Sequence, residues 1–174
     1  LWMQLKNVPK KIYTISLVLI LCFSCAYPAF GLLEKMRGLD FHELNLDGSM
    51  FMKRYNSDEY EAIQWLKTAP YGALAEAVGG SYSAFARIST FSGLPTVLGW
   101  PGHEMQWRGG VKEIGSREND IRMLYETGDW QIASEIINRY KIKYIYIGQL
   151  EKYKYQVDIS KFANRAIEVF SNDS

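Results

Sequence analysis

The chain has 174 residues, of which 48% are hydrophobic and 14% aromatic, and a formal net charge of +1. That composition is too apolar for a disordered chain, and without a basic stripe interleaved with aromatics it excludes nucleic acid as a partner. The length has room for one domain and an anchor, and because the chain opens with Leu1 rather than Met it is expected to be a piece of a longer sequence.

The first element in chain order is a run without charge from Ile12 to Leu33. As a helix its 22 residues rise roughly 33 Å, the thickness of a bilayer's hydrocarbon layer. Lys10 and Lys11 close one end, and Glu34, Lys35 and Arg37 close the other. Tyr13, Tyr27 and Phe30 sit near the boundaries, where aromatic rings are favoured. Residues 1–38 therefore read as a transmembrane helix with its flanks. A signal peptide would have a shorter apolar region and a small-residue cleavage site. Three lysines (Lys6, Lys10 and Lys11) precede the span and two cations follow it closely, which favours a cytoplasmic N-terminus and an extracytoplasmic domain. Cys22 and Cys25 lie within the apolar run, where a thiol stays protonated, so their spacing is not a redox motif.

From Leu39 onward acidic residues outnumber basic ones, 18 to 15. Residues 39–56 read as a connecting loop with a turn at Asp47-Gly48, and residues 57–174 as a soluble α/β domain. Asp58 and Glu61 have capping-box spacing at the head of a helix whose apolar face is Ala62, Ile63 and Leu66. Ala73 to Val78 and Pro95 to Trp100 read as buried strands, with 81–91 ambiguous between helix and extended chain. Ser116 and Asp129 are candidate caps for helices reaching Tyr125 and Tyr140. Ile142 to Ile147 is the clearest strand, closed by Gly148. A short helix over 159–166 and a last strand over 167–170 complete the series. Alternating helices and strands predict an α/β fold: one N-terminal transmembrane helix, then a small, mostly parallel sheet with crossover helices.

The chemistry concentrates between Ser81 and Gly110. Ligands of open α/β sheets bind beyond the carboxyl ends of strands. Glu76 is near the end of the first strand and His103 to Arg108 follow the second, so a shared crevice is expected. Its substrate-binding residues are Glu76, Tyr82, Arg87, His103, Glu104, Gln106, Trp107 and Arg108. Arg87 and Arg108 suit a phosphate or carboxylate held in a fork, or an internal ion pair with Glu76 or Glu104. Trp100 and Trp107 suit stacking on a sugar, core packing or a membrane interface, and the residues leave these open. His103 and Glu104 suit a metal or a proton relay, but no second ligand stands at metal spacing, so no metal is assigned. No GxGxxG, GK[ST] or GxSxG is present, which removes dinucleotide, P-loop and serine-hydrolase readings.

GSYSAFARISTFSGLPTVLGWPGHEMQWRG, then RENDIRMLYET and KYIYIGQLEKYKY, together with LDGSMFMKRY and DEYEAIQWLK, resemble the C-terminal part of the Chlor_Arch_YYY membrane proteins. These are large polytopic proteins of unassigned function. GWPGHEMQWRG is the most specific segment. The tyrosine signature is imperfect, since isoleucines interrupt Tyr144-Ile145-Tyr146-Ile147-Gly148. The resemblance implies further transmembrane helices upstream. Its layout is similar to that of multi-pass glycosyltransferases that use lipid-phosphate-linked sugars, an analogy of architecture. It implies an outer, substrate-handling domain, with catalytic acids on an early loop outside this chain. The implied partners are the bilayer, the upstream helices and a lipid-linked sugar or glycan acceptor. No cofactor is expected in this piece, while the complete protein leaves room for a divalent metal. The rival from another class is a non-catalytic envelope binding or bracing domain. A metal hydrolase would need three ligands converging on His103.

Overall fold

The computed structural model describes residues 9–37 and 47–172. The chain divides into two compact units, Leu1–Leu46 and Asp47–Ser174. The first is helix α1, Lys10–Arg37. Its stretch Lys10–Met36, which contains 18 successive residues with a mean hydropathy of 2.1, is long and apolar enough to cross a membrane. Pro28 lies inside this helix without ending it, as transmembrane helices tolerate.

The second unit is built on two parallel strands, β1 (Ala73–Ala75) and β2 (Ile142–Ile145). Leu74 pairs with Tyr144 and Ala75 with Ile145, and the register shifts between Ala73 and Leu74. Residues 95–99 run beside β1 on its other edge. They form a single parallel bridge, Leu74 to Thr96, rather than the strand expected over Pro95 to Trp100. Pro95 has no N–H for a ladder and only accepts, from Leu74 N at 2.8 Å.

Alternation then sorts the side chains onto two faces. Ala75, Ile145 and Ile147 belong to one core with Val97, Leu98, Ile121, Leu124, Tyr125, Ala133 and Ile136. Leu74, Tyr144 and Tyr146 belong to another with Met52, Ile63, Leu66 and Ile88. The second core is covered by α2 (Met50–Tyr55), α3 (Ser57–Thr68) and α4 (Arg87–Ser92). The first is covered by α7 (Arg117–Glu126) and α8 (Trp130–Tyr140). Short helices α5 (Pro101–Trp107), α6 (Val111–Ile114) and α9 (Gln149–Lys154) complete the unit.

Several boundaries differ from the sequence reading. The expected loop 39–56 contains α2, whose Met52 is fully buried; its part 39–46 lies outside the described residues. Helix α3 starts at Ser57 after Asn56, with no side-chain cap, so Asp58 sits within the first turn. The strand over Ala73 to Val78 is three residues long: beyond Ala75 the amides of Ala77 and Val78 donate to the side chains of Glu151 and Tyr155 instead of to a neighbouring strand. The ambiguous 81–91 ends in α4. Ser116 does not cap α7 through its side chain, which donates instead to Asp120 Oδ2 at 2.8 Å. Asp129 does cap α8, accepting from Gln131 N at 2.8 Å. The helix over 159–166 shrinks to a 3-10 turn, Ser160–Phe162, tied down by Lys161 Nζ donating to Tyr125 O at 2.9 Å. The strand over 167–170 does not form: Ile167 is 86% exposed, and β propensity without a partner edge makes no strand.

Candidate functional site

The eight residues expected in one crevice fall into two groups. Glu76 and Arg87 turn inward at the carboxyl end of β1. Tyr82, His103, Glu104, Gln106, Trp107 and Arg108 lie outside that inner pair, Tyr82 in the segment before α4 and the others on α5 and its C-cap.

The inner group is a buried carboxylate cluster. Glu76 is 2% exposed and accepts from Ile88 N at 3.0 Å and Ser89 N at 3.2 Å. It thus supplies the first turn of α4 with the acceptors that an N-cap side chain otherwise provides. Burial pushes its carboxyl up to about 7, against the bonds from Ser89 and Ile88, and the neighbouring Glu151 adds to the rise. Glu151, on α9, is equally buried. It accepts from Ala77 N at 2.7 Å and Gly148 N at 3.0 Å, and burial raises its pKa as well. Glu59, on α3, holds Arg87 Nη2 between its two oxygens, at 2.7 and 2.5 Å. The ion pair left open by the sequence therefore joins Arg87 to Glu59, not to Glu76. The three carboxylates, with Arg87 and Tyr146, line a cavity of about 10 Å³, the room of a single water.

The outer group is aromatic. The Tyr82 and His103 rings meet edge to face at 4.6 Å between centroids. Trp100 stands 5.2 Å from His103 and 5.7 Å from Tyr82. Trp100 Nε1 donates to Phe85 O at 2.8 Å, which fixes the indole against the inner segment. Two glycines allow this close packing. A Cβ on Gly79 would meet the Phe85 ring at 2.0 Å, and one on Gly99 would meet Ala86 Cβ at 2.8 Å. Glu104 accepts from Gly99 N at 3.2 Å and pairs with Arg108 Nε at 3.2 Å, one helical turn on. Tyr82 is 85% and Trp107 82% exposed, and Gln106 on α5 and Arg108 at its C-cap are exposed as well. The nearest rings to His103 are aromatic, and among the described residues no three His, Cys, Asp or Glu side chains are arranged to hold a metal ion.

The sequence reading missed Glu59 and Glu151, which complete the inner cluster, and did not place Trp100 as the ring that organises Tyr82 and His103. One signal was present for Glu151. It stands three residues after Gly148, the spacing at which a Glu reaches back to the N-cap amide. Glu59 carries none, since DEYE at a helix start reads as solvated charge. Comparison with known proteins finds no match to any family, any curated protein or any solved structure.

Proposed function

We propose that the chain is the outer, substrate-handling part of a polytopic membrane glycosyltransferase that uses lipid-phosphate-linked sugars. In this reading its domain is extracytoplasmic, with a mostly parallel sheet and crossover helices as the scaffold. The catalytic acids belong to an earlier part of the protein. The observation that carries the reading is the outer aromatic face. The exposed ring of Tyr82 meets Trp100 and His103, and the exposed Trp107 follows His103 by one turn of α5, with Arg108 as the C-cap of that helix. A flat apolar ring with a polar tip suits a sugar face, and an arginine fork suits its phosphate. Glu104 orients that fork through Nε.

The test compares lipid-linked and protein-linked glycans of cells carrying the complete protein with those of a deletion strain. Strains with Trp107→Ala or Arg108→Ala follow. A glycan lost in the deletion and reduced at least tenfold in the point variants, at normal protein level, supports the reading; the factor corresponds to about 1.4 kcal/mol of lost binding. An unchanged profile sinks it.

A second reading, a non-catalytic envelope binding or bracing domain, draws on the shallowness of the same face. Tyr82 and Trp107 stand out into solvent rather than walling a pocket. Pull-down of an envelope component, abolished by Trp107→Ala without any glycan change, would decide for it.

A further inference from the structure

We propose that the buried carboxyl of Glu76, beside Glu151 and Glu59 on one small cavity, is a proton-operated latch on the segment 79–93, which stays docked while Glu76 holds a proton and loosens when that proton leaves.

The segment is built to be held rather than to hold itself. It is bounded by Gly79-Gly80 and by Gly93, which has φ 79°. Tyr82 and Ala86, at φ 57° and 61°, adopt the left-handed region, which is unfavourable for residues with a side chain. Its apolar side chains Ile88 and Phe91 pack in the second core and Phe85 against the first, with Lys154 Nζ over the Phe85 ring at 4.9 Å. Its polar docking contacts are few: Ile88 N and Ser89 N donate to Glu76, Arg87 donates to Glu59, and Phe85 O accepts from Trp100. Two of these three polar anchor points are carboxylates of the cluster.

The electrostatics of the cavity decide the direction. Glu76 is faced by Glu151 from α9, by Glu59 from α3, and by the phenols of Tyr146 and Tyr125 from beyond β2 and from α7. Among the described residues Arg87 is the only guanidinium or ammonium lining the cavity, and the Lys154 ammonium of α9 stands over the ring of Phe85, which lines it too. Three carboxylates and one guanidinium around the volume of one water leave excess negative charge out of reach of solvent. Burial therefore raises Glu76 to about 7 from its ordinary 4.5. When the segment lifts, water enters and the carboxyl returns toward its ordinary value. The docked form binds the proton more tightly, so acid favours docking. The opening constant is flat below about pH 4.5, rises by up to tenfold per pH unit, and levels above about pH 7.

The segment carries Tyr82, and its Phe85 carbonyl fixes Trp100, so the latch controls the order of the outer rings. That this regulates ligand capture rests on the function proposed above; the latch itself does not.

Amide hydrogen exchange on the full chain in lipid nanodiscs, from pH 5 to 9, tests it with no ligand present. After correction for the intrinsic exchange rate, protection of residues 84–92 is expected to fall by up to tenfold per pH unit toward neutrality and then level, while α8 stays constant. Glu76→Gln keeps the size and one acceptor oxygen but cannot ionise, so its profile is flat. In Glu151→Gln, which removes one neighbouring negative charge, the levelling point moves to lower pH. The proposal is overturned by protection of 84–92 that ignores pH, by a parallel loss in α8, by a slope that survives in Glu76→Gln, or by an unmoved levelling point in Glu151→Gln. A flat wild-type profile leaves the glycan result above untouched, so the two failures are distinct.

Discussion

Tyr125 and Tyr155 stack face to face, with ring centroids 5.0 Å apart and planes 7° from parallel, and each places its hydroxyl on backbone beyond the sheet. Tyr125 Oη lies 3.0 Å from Ala75 O and 2.7 Å from Tyr146 O. Tyr155 Oη accepts from Val78 N at 3.2 Å. The pair therefore closes the carboxyl ends of both strands, directly behind the carboxylate cluster.

Tyr125→Phe keeps the stack and removes the hydroxyl donor from Tyr146 O, while Ala75 O retains the Tyr146 amide. The expected loss is about 1–3 kcal/mol, the cost of leaving a buried polar group without a partner. Urea denaturation followed by near-ultraviolet circular dichroism measures it. A loss below about 0.5 kcal/mol would mean that the carbonyl finds another donor.

The Glu59–Arg87 pair should show strong non-additivity. Arg87→Met strands a carboxylate that is 8% exposed and is expected to cost about 3–5 kcal/mol. Glu59→Gln in the same background removes the stranded charge and should recover most of that loss, with a coupling above about 1 kcal/mol. A double-mutant cycle in urea reads both, and strict additivity would show that the two groups do not depend on each other.

Asp120 ties α7 to α8. Burial pushes its carboxyl up, but bonds from Tyr140, Ser116 and Arg139 outweigh that and hold it below its ordinary 3.8. A depressed carboxylate stabilises the fold above its unfolded value, and the contribution is lost as pH falls through the folded value. Stability should therefore drop on acidification below about pH 4. The drop should be smaller in Asp120→Asn, whose amide does not titrate. Equal acid sensitivity in both proteins would show that other groups control this range.

The two tryptophans of the outer face should behave oppositely. Trp107→Ala removes an 82% exposed side chain and should change stability by no more than about 0.5 kcal/mol, while weakening any ligand that stacks on it. Trp100→Phe loses the bond to Phe85 O and should cost about 1 kcal/mol. Thermal melts of the two variants separate a binding ring from a positioning one.

What the sequence determined by itself is what neighbouring residues decide together. The apolar length of α1 is visible from composition alone, since spanning a bilayer depends on an unbroken run. The α8 cap at Asp129 and the periodic face Ala133 and Ile136 are equally local, as is the β2 core of IKYIYI. Only the tertiary structure decided the rest. Whether Ile167 to Phe170 becomes a strand depends on a free edge elsewhere. Whether Arg87 pairs with Glu76 or Glu59 depends on where α3 packs, 28 positions earlier. The carboxylate cluster gathers Glu59, Glu76 and Glu151 from segments far apart in the chain, and no spacing rule reaches across such distances. The raised carboxyls of Glu76 and Glu151 follow from burial, which exists only once the sheet, α3, α4 and α9 have closed around one small cavity.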